Sequence, residues 1–352
     1  MRISHPSCVF KDSGMIILTN AVSGRTDEGC LKVAQSLVKR IKQAKDDTCV
    51  VSYENRSALS DHHFELNKLL LNRQLYAFLR KRREPVLYIP FPAKTIATAL
   101  RIFVLSRMVK DKLQVILVLK NHMNPLARLL LRMSGAELVV LSRQAQAFYS
   151  EIVPGDKVTY LKTGVDTQKF TPVSGDRATE LKKQYGFDPC RPVVLHVGHL
   201  KYGRGVAELL KIDPQYQVLL VASTLTKDEQ DEVLRQQLLS CPNIRILDTY
   251  IPNIEELYQL SDVYFFPVTE SGHCIDVPLS CLEAAACGKP VITTRYGEME
   301  AFAGKSGFRF VDTIEKDDLN RQISQALLSE EDPRDAVLCY DWDHAVSALL
   351  NT

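Results

Sequence analysis

Short apolar runs recur along the chain, each followed by a longer stretch in which apolar residues return every three or four positions. Met15–Thr19, Thr48–Ser52, Val86–Ile89, Leu113–Leu119 and Leu138–Leu141 read as buried strands. Between them Leu31–Ala44, Leu66–Arg82, Ile96–Lys110 and Pro125–Met133 have helical spacing. Such alternation predicts a parallel sheet covered by helices on both faces. Gly155–Gly186 is polar, with Gly, Pro and Ser, and is expected to be the crossing to a second unit. There the strands are Val193–Val197, Gln217–Val221, Ile244–Ile246, Val263–Phe266 and Val291–Thr294. The helices lie near Gly205–Lys211, Lys227–Leu239, Ile254–Leu260, Leu279–Ala286 and Lys316–Leu328.

One strand-to-helix passage carries more chemistry than the rest. After Val263–Phe266 comes a polar loop with Glu270, His273 and Asp276, and then Pro278 opens a helix. Glu283 follows inside the helix, small residues Ala284–Ala286 come next, and Gly288 and Pro290 stop it. In an open parallel sheet ligands sit beyond the carboxyl ends of the strands. A helix N-terminus there offers free N–H groups and a positive dipole end to a phosphate. A carboxylate one turn in can take ribose hydroxyls. The pattern therefore predicts a nucleotide site.

A length of 352 residues suits two domains, and 45% hydrophobic with 24% charged residues is ordinary for a soluble globular protein. No apolar run approaches the roughly 20 residues that span a bilayer. Lys11 and Asp12 interrupt any signal-peptide pattern. Nine cysteines without a regular framework suit a reduced, cytoplasmic protein. His273, Cys274, Cys281 and Cys287 cluster in sequence without a CxxC pair, so packing rather than zinc is expected. The net charge of +2 hides a division: residues 1–170 carry 27 basic and 14 acidic residues, the remainder 17 and 28. A basic half favours an anionic acceptor or membrane surface, and two halves of opposite sign also attract across a cleft.

Five segments in order resemble retaining glycosyltransferases of the GT-B fold, family four. Lys162–Phe170, KTGVDTQKF, is similar to the family's junction element Asn-Gly-Val-Asp-x-x-x-Phe. Val197–Val206, VGHLKYGRGV, is similar to Val-Gly-Arg-Leu-x-x-x-Lys-Gly-Val. Leu257–Pro267, LYQLSDVYFFP, and Pro278–Val291, PLSCLEAAACGKPV, resemble the family's next two elements. The segment around Trp342 is similar to its closing Ser-Trp-x-x-x-Ala. The implied fold is α/β: two doubly wound Rossmann-like domains facing a cleft. Residues 1–165 would bind the acceptor, 166–335 the nucleotide sugar, and 336–352 would form a terminal helix returning to the first domain.

The resemblance also implies roles. Arg204 falls at the lysine of the family's diphosphate-gripping pair, and His199 replaces its arginine. Histidine is largely neutral at pH 7, so Lys201 or Tyr202 is a candidate to compensate. Glu283 falls on the second family glutamate, which holds ribose. The first lies eight residues earlier, where this chain has Ile275. Asp276, counted back from the helix, and Glu270, counted forward from Phe266, are alternative catalytic acids facing the sugar. Backbone groups of this loop, with Cys274, Ile275 and Val277, are candidate donor contacts. His122 falls where several members place a histidine near the transferred sugar. Gly24, Arg25 and Asp27 lie on the loop that faces donor and acceptor. Base contacts are expected from the backbone around Asp248–Pro252.

The expected activity is retaining, metal-independent transfer of a sugar from a UDP- or GDP-type nucleotide sugar to an acceptor hydroxyl, with no other cofactor. Glycolipid, surface-glycan or glycoconjugate synthesis is the implied setting. The acceptor would be a glycan, lipid-linked or small molecule, and no nucleic acid is expected. A cytoplasmic location with peripheral association at the inner face of the membrane is suggested by Arg80–Arg83, which closes an apolar helix, and by the basic residues flanking Ile102–Val109, whose apolar faces could equally pack on the first sheet with the cations solvated. The alternatives are an inactive or binding-only homologue, and a sugar-phosphate synthase or phosphorylase on the same fold.

Overall fold

A computed structural model describes residues 14–22, 28–54, 56–65, 72–91, 93, 95–118, 123–162, 164–223, 231–270 and 272–351. The first sheet contains β1 (Met15–Thr19), β2 (Thr48–Tyr53), β3 (His62–Phe64), β4 (Val86–Ile89), β5 (Leu113–Leu117), β6 (Glu137–Val140) and β7 (Val158–Tyr160). Its order is β3-β2-β1-β4-β5-β6-β7, with all pairings parallel. Its helices are α1 (Gly29–Ala44), α2 (Arg73–Arg80), α3 (Thr95–Ser106), α4 (Pro125–Ser134) and α5 (Arg143–Ser150). Chain order reverses direction between β1 and β4, which opens a crevice at their carboxyl ends.

After α6 (Gly175–Gln184), the second sheet contains β8 (Val193–Gly198), β9 (Gln217–Ala222), β10 (Ile244–Leu247), β11 (Val263–Phe266), β12 (Val291–Thr293) and β13 (Phe308–Phe310). The order β10-β9-β8-β11-β12-β13 is again wholly parallel, and its switch point lies between β8 and β11. Its helices are α7 (Glu232–Leu239), α8 (Ile254–Leu260), α9 (Leu279–Ala286) and α10 (Lys316–Leu328), followed by α11 (Arg334–Val337) and α12 (Trp342–Leu350). The strands β1, β9 and β11 are buried along their whole length, as a parallel sheet covered on both faces requires. This is the architecture the resemblance implies, two Rossmann-like sheets with interleaved helices.

Several expectations shift. The polar stretch 155–186 is more than a crossing: β7 completes the first sheet and α6 begins the second unit. Strands β3 and β13 are only three residues each, too short for alternation to reveal. Helix α5 buries only Ala145 and Tyr149, so its sequence carries little helical periodicity. Among the described residues the basic helices turn most of their apolar side chains inward, with Ile96 at the start of α3 exposed, as packing on the first sheet requires; residues 66–71 lie outside the described residues. Leu75 and Leu79 of α2, and Ile102 and Leu105 of α3, are buried. The exposed apolar stripe is on α4, where Leu126, Leu129 and Met133 are 55%, 53% and 51% accessible.

The C-terminal segment grips the junction between the sheets. Val165 N–H donates to Tyr340 O at 2.7 Å, and Thr167 N–H to the Asp341 carboxylate at 3.2 Å. A Cβ on Gly164 would lie 2.4 Å from Trp342 Cδ2, so only glycine lets the indole sit there. Arg40 of α1 reaches Asp343 at 3.1 Å and Asp166 at 3.3 Å, with α12 packed along α1.

Candidate functional site

Two connected cavities lie between the sheets. The first, of about 310 Å³, is lined by one face of α1, by Val221–Ser223 at the end of β9, by Thr249–Pro252 after β10, and by Glu283. The second, of about 140 Å³, is lined by Glu28–Cys30, His199, Arg204, Gly272–Ile275 and the start of α9, Pro278–Ser280. Lys32, Val197, Gly198 and Glu283 belong to both and mark their junction.

Glu283 is only 2% accessible. Its side chain accepts from Lys32 Nζ at 2.7 Å and from the Tyr258 hydroxyl at 2.8 Å. Burial and the adjacent carboxylate push the Tyr258 phenol well above its usual range, so it remains a donor. Lys32 comes from α1, so an ion pair across the cleft holds the acid at the junction. Both oxygens keep a second lone pair for a ligand hydroxyl.

Arg204 follows β8 in a 3-10 turn, Tyr202–Arg204, and is 7% accessible. One Nη donates to His273 O, while Nε is buried with no partner. A buried guanidinium with an unused donor is suited to an anion. Two glycines make this turn possible. Gly205 has φ +67°, and a Cβ there would lie 2.3 Å from Pro267 O. A Cβ on Gly203 would lie 2.4 Å from the His273 ring. The loops after β8 and β11 thus touch through backbone, which carries Arg204 into the second cavity. Beneath Arg204, His196 is fully buried with Nδ1 on Phe265 O at 2.9 Å. Burial, with a smaller push from Arg204, lowers its pKa to about 4, so it adds no charge.

Pro278 is the N-cap of α9, one position earlier than the sequence suggests, and no side chain caps the helix. Leu279 and Ser280 line the second cavity there. Part of the preceding loop is already satisfied. Cys274 N–H donates to the Tyr296 hydroxyl at 3.1 Å, and that hydroxyl donates to Cys274 O at 2.6 Å. Burial raises the Cys274 thiol, so it stays protonated.

The structure separates the sequence candidates. Arg204, Glu283, His199, Cys274 and Ile275 line the cavities. Lys201 starts the 3-10 turn and Val277 is buried, and neither lines a cavity. Asp276 does not line them either: its carboxylate accepts from Ser142 Oγ, which also caps α5. Glu270 is on the rim, 67% accessible, 3.1 Å from His273 Nε2. His122, Gly24, Arg25 and Asp27 lie outside the described residues. The α1 face contributes residues that motif reading missed: Glu28, Lys32, Gln35, Ser36 and Lys39. Their spacing of three or four marks one polar stripe opposite buried Leu31, Ala34 and Val38. That stripe is visible in the sequence, but nothing in it says that the stripe faces a cleft.

Comparison with known proteins follows this geometry. Residues 191–329 match the family described as glycosyl transferases group 1. The undecaprenol-linked alpha-1,3-N-acetylgalactosaminyltransferase of Campylobacter jejuni is 27% identical over 190 residues, 50% of this chain and 46% of that protein. A D-inositol 3-phosphate glycosyltransferase of Corynebacterium urealyticum is 30% identical over 206 residues, 54% of this chain and 47% of the relative. The match thus spans about half the length of these curated relatives. A glycosyltransferase from Rickettsia africae superposes with TM-score 0.78 at 13% identity, covering 97% of this chain and 98% of its own. Anabaena HepE, solved with UDP, superposes at 0.76 with 16% identity, covering 96% and 99%. Residues 191–329 thus match the group 1 glycosyl transferase family, and the whole chain shares the two-domain GT-B fold of the solved structures.

Proposed function

We propose that the protein is a retaining, metal-independent glycosyltransferase that moves a sugar from a nucleoside diphosphate sugar to an acceptor hydroxyl. One observation carries this: a nucleoside-sized cavity meets a smaller cavity holding a buried, under-satisfied arginine, with a buried glutamate at the junction. The base would lie against Val221–Ser223 and Thr249–Pro252, and the ribose against Glu283. The diphosphate would lie against Arg204 and the N-terminus of α9, where fixed positive groups stabilise the leaving charge. The solved complex of HepE with UDP-glucose supports a donor of this class. Retention would follow a front-face route, in which the leaving phosphate oxygen takes the acceptor proton.

The acceptor is proposed to be lipid-linked, met at the inner face of an anionic membrane. Curated relatives named for undecaprenol-linked and phosphatidylinositol substrates support the class. The α4 stripe Leu126, Leu129 and Met133, beside exposed Arg107, Arg128 and Arg132, has the apolar and basic character such a surface needs. Among the described residues no helix is long and apolar enough to cross a membrane.

Calorimetry with UDP, GDP and their sugars tests the donor site. Glu283→Gln and Arg204→Ala are each expected to weaken binding by about 1–3 kcal/mol, the range for a charged hydrogen bond. Unchanged affinity in both would move the site elsewhere. Donor hydrolysis and transfer are expected to persist in EDTA. Binding without either reaction would leave a binding-only protein.

A further inference from the structure

Among the described residues two acids, Glu28 and Glu283, line the second cavity. Glu283 stands at the junction with the nucleoside cavity and is held by Lys32 and Tyr258. The loop acids do not reach: Asp276 is drawn to Ser142, and Glu270 lies on the rim. Beyond the junction, Glu28 is therefore, among the described residues, the carboxylate left to meet whatever is attached to the diphosphate. It comes from the other domain, at the start of α1, and a close approach brings it in. A Cβ on Gly29 would lie 3.4 Å from Ile275 Cδ1, so α1 begins against the loop that precedes α9.

We propose that Glu28 accepts the hydroxyls of the transferred sugar, and that the site consequently takes a neutral sugar rather than a uronic acid. Its Oε2 already caps α1 at Leu31 N–H, 2.8 Å away. A carboxylate has roughly four lone-pair sites, so capping leaves acceptor capacity. Among the described residues no cation pairs with it. Burial raises its pKa, opposed by the Leu31 N–H, by Cys30 and by Arg204. A desolvated carboxylate in this position gains from hydroxyl donors and is penalised by a second carboxylate. Arg204, across the same cavity, keeps its unpartnered Nε for the phosphate. The division of labour is then an arginine from one domain for the leaving group and a glutamate from the other for the sugar ring.

This rests on the donor reading above, and the experiment separates the two. Calorimetry compares UDP, UDP-glucose and UDP-glucuronate, and GDP with GDP-mannose, on the wild type, Glu28→Gln and Glu28→Asn. Glutamine keeps the length, and asparagine is a good N-cap that no longer reaches the cavity. Melting temperatures establish that both variants fold. Both are expected to bind the free diphosphate within about twofold of wild type, and the neutral nucleotide sugar about tenfold more weakly. UDP-glucuronate is expected to bind wild type more weakly than UDP-glucose, and Glu28→Gln is expected to close that gap. Diphosphate bound normally, with nucleotide-sugar affinities unchanged in both variants, overturns the role of Glu28 and leaves the donor site standing. No binding of either diphosphate to the wild type overturns the donor reading, and this inference with it.

Discussion

His196 shows how one buried residue ties the site to stability. Its ring stacks 6.4 Å from Tyr264, Nδ1 donates to Phe265 O, and Nε2 has no partner. The unfolded chain takes a proton near pH 6.5, whereas the folded protein resists until about 4. The stabilising contribution is therefore complete above pH 6.5 and is lost as pH falls to 4, by about 3 kcal/mol in total. Urea denaturation of wild type and His196→Gln between pH 7.5 and 4 is expected to diverge in slope across that window. Parallel profiles would mean that the histidine does not titrate as its burial requires. At this scale the motif positions were the legible ones. Arg204 follows β8 in a short turn and Glu283 lies inside α9, just after a strand-to-helix loop, and the glycine and proline punctuation of both passages survives in the sequence. Glu28 and Lys32 carry no such punctuation, because they belong to an ordinary amphipathic helix.

Elements with strong periodicity and clear ends were legible to the residue. Helices α9 and α10 run Leu279–Ala286 and Lys316–Leu328, as the pattern predicts. What periodicity does not reveal is which apolar stripe stays uncovered. Helices α2, α3 and α4 are all apolar and basic, yet α2 and α3 bury their leucine faces while α4 buries Ala127 and Leu131 and leaves the outer row exposed. The expectation is that the protein sediments with anionic but not neutral vesicles, less so as salt shortens the Debye length. Leu129→Ser with Met133→Ser is expected to lower that binding by about tenfold or more, since each exposed side chain would transfer roughly 1.5–3 kcal/mol of apolar surface. Folding should be spared because both residues face solvent. Equal binding by the variant would assign the surface elsewhere.

Among the described residues, polar links across the cleft include Lys32 to Glu283, Ser142 to Asp276, Arg143 N–H to Glu298 at 2.5 Å, and Arg40 to the C-terminal segment. Breaking a fully buried ion pair costs about 3–5 kcal/mol. Lys32 is 22% accessible, so Lys32→Ala is expected to cost about 2 kcal/mol. A double-mutant cycle with Glu283→Gln checks this. Additive losses would show that the two side chains act independently, and a double variant little worse than either single one would show the pair.

The sequence by itself determined the alternation of strand and helix, the two parallel sheets and the strand-to-helix passages that contain Arg204 and Glu283. These follow from local periodicity and from turn residues, which act over a few positions. Tertiary structure alone decided which charges meet. Lys32 and Glu283 are 251 residues apart, and Ser142 and Asp276 are 134 apart. The loop acids that spacing favoured for the sugar are turned to the domain contact and the rim. Glu28, from the opposite domain, lines the cavity instead, because burial and charge pairing are settled only when both sheets are assembled across the cleft.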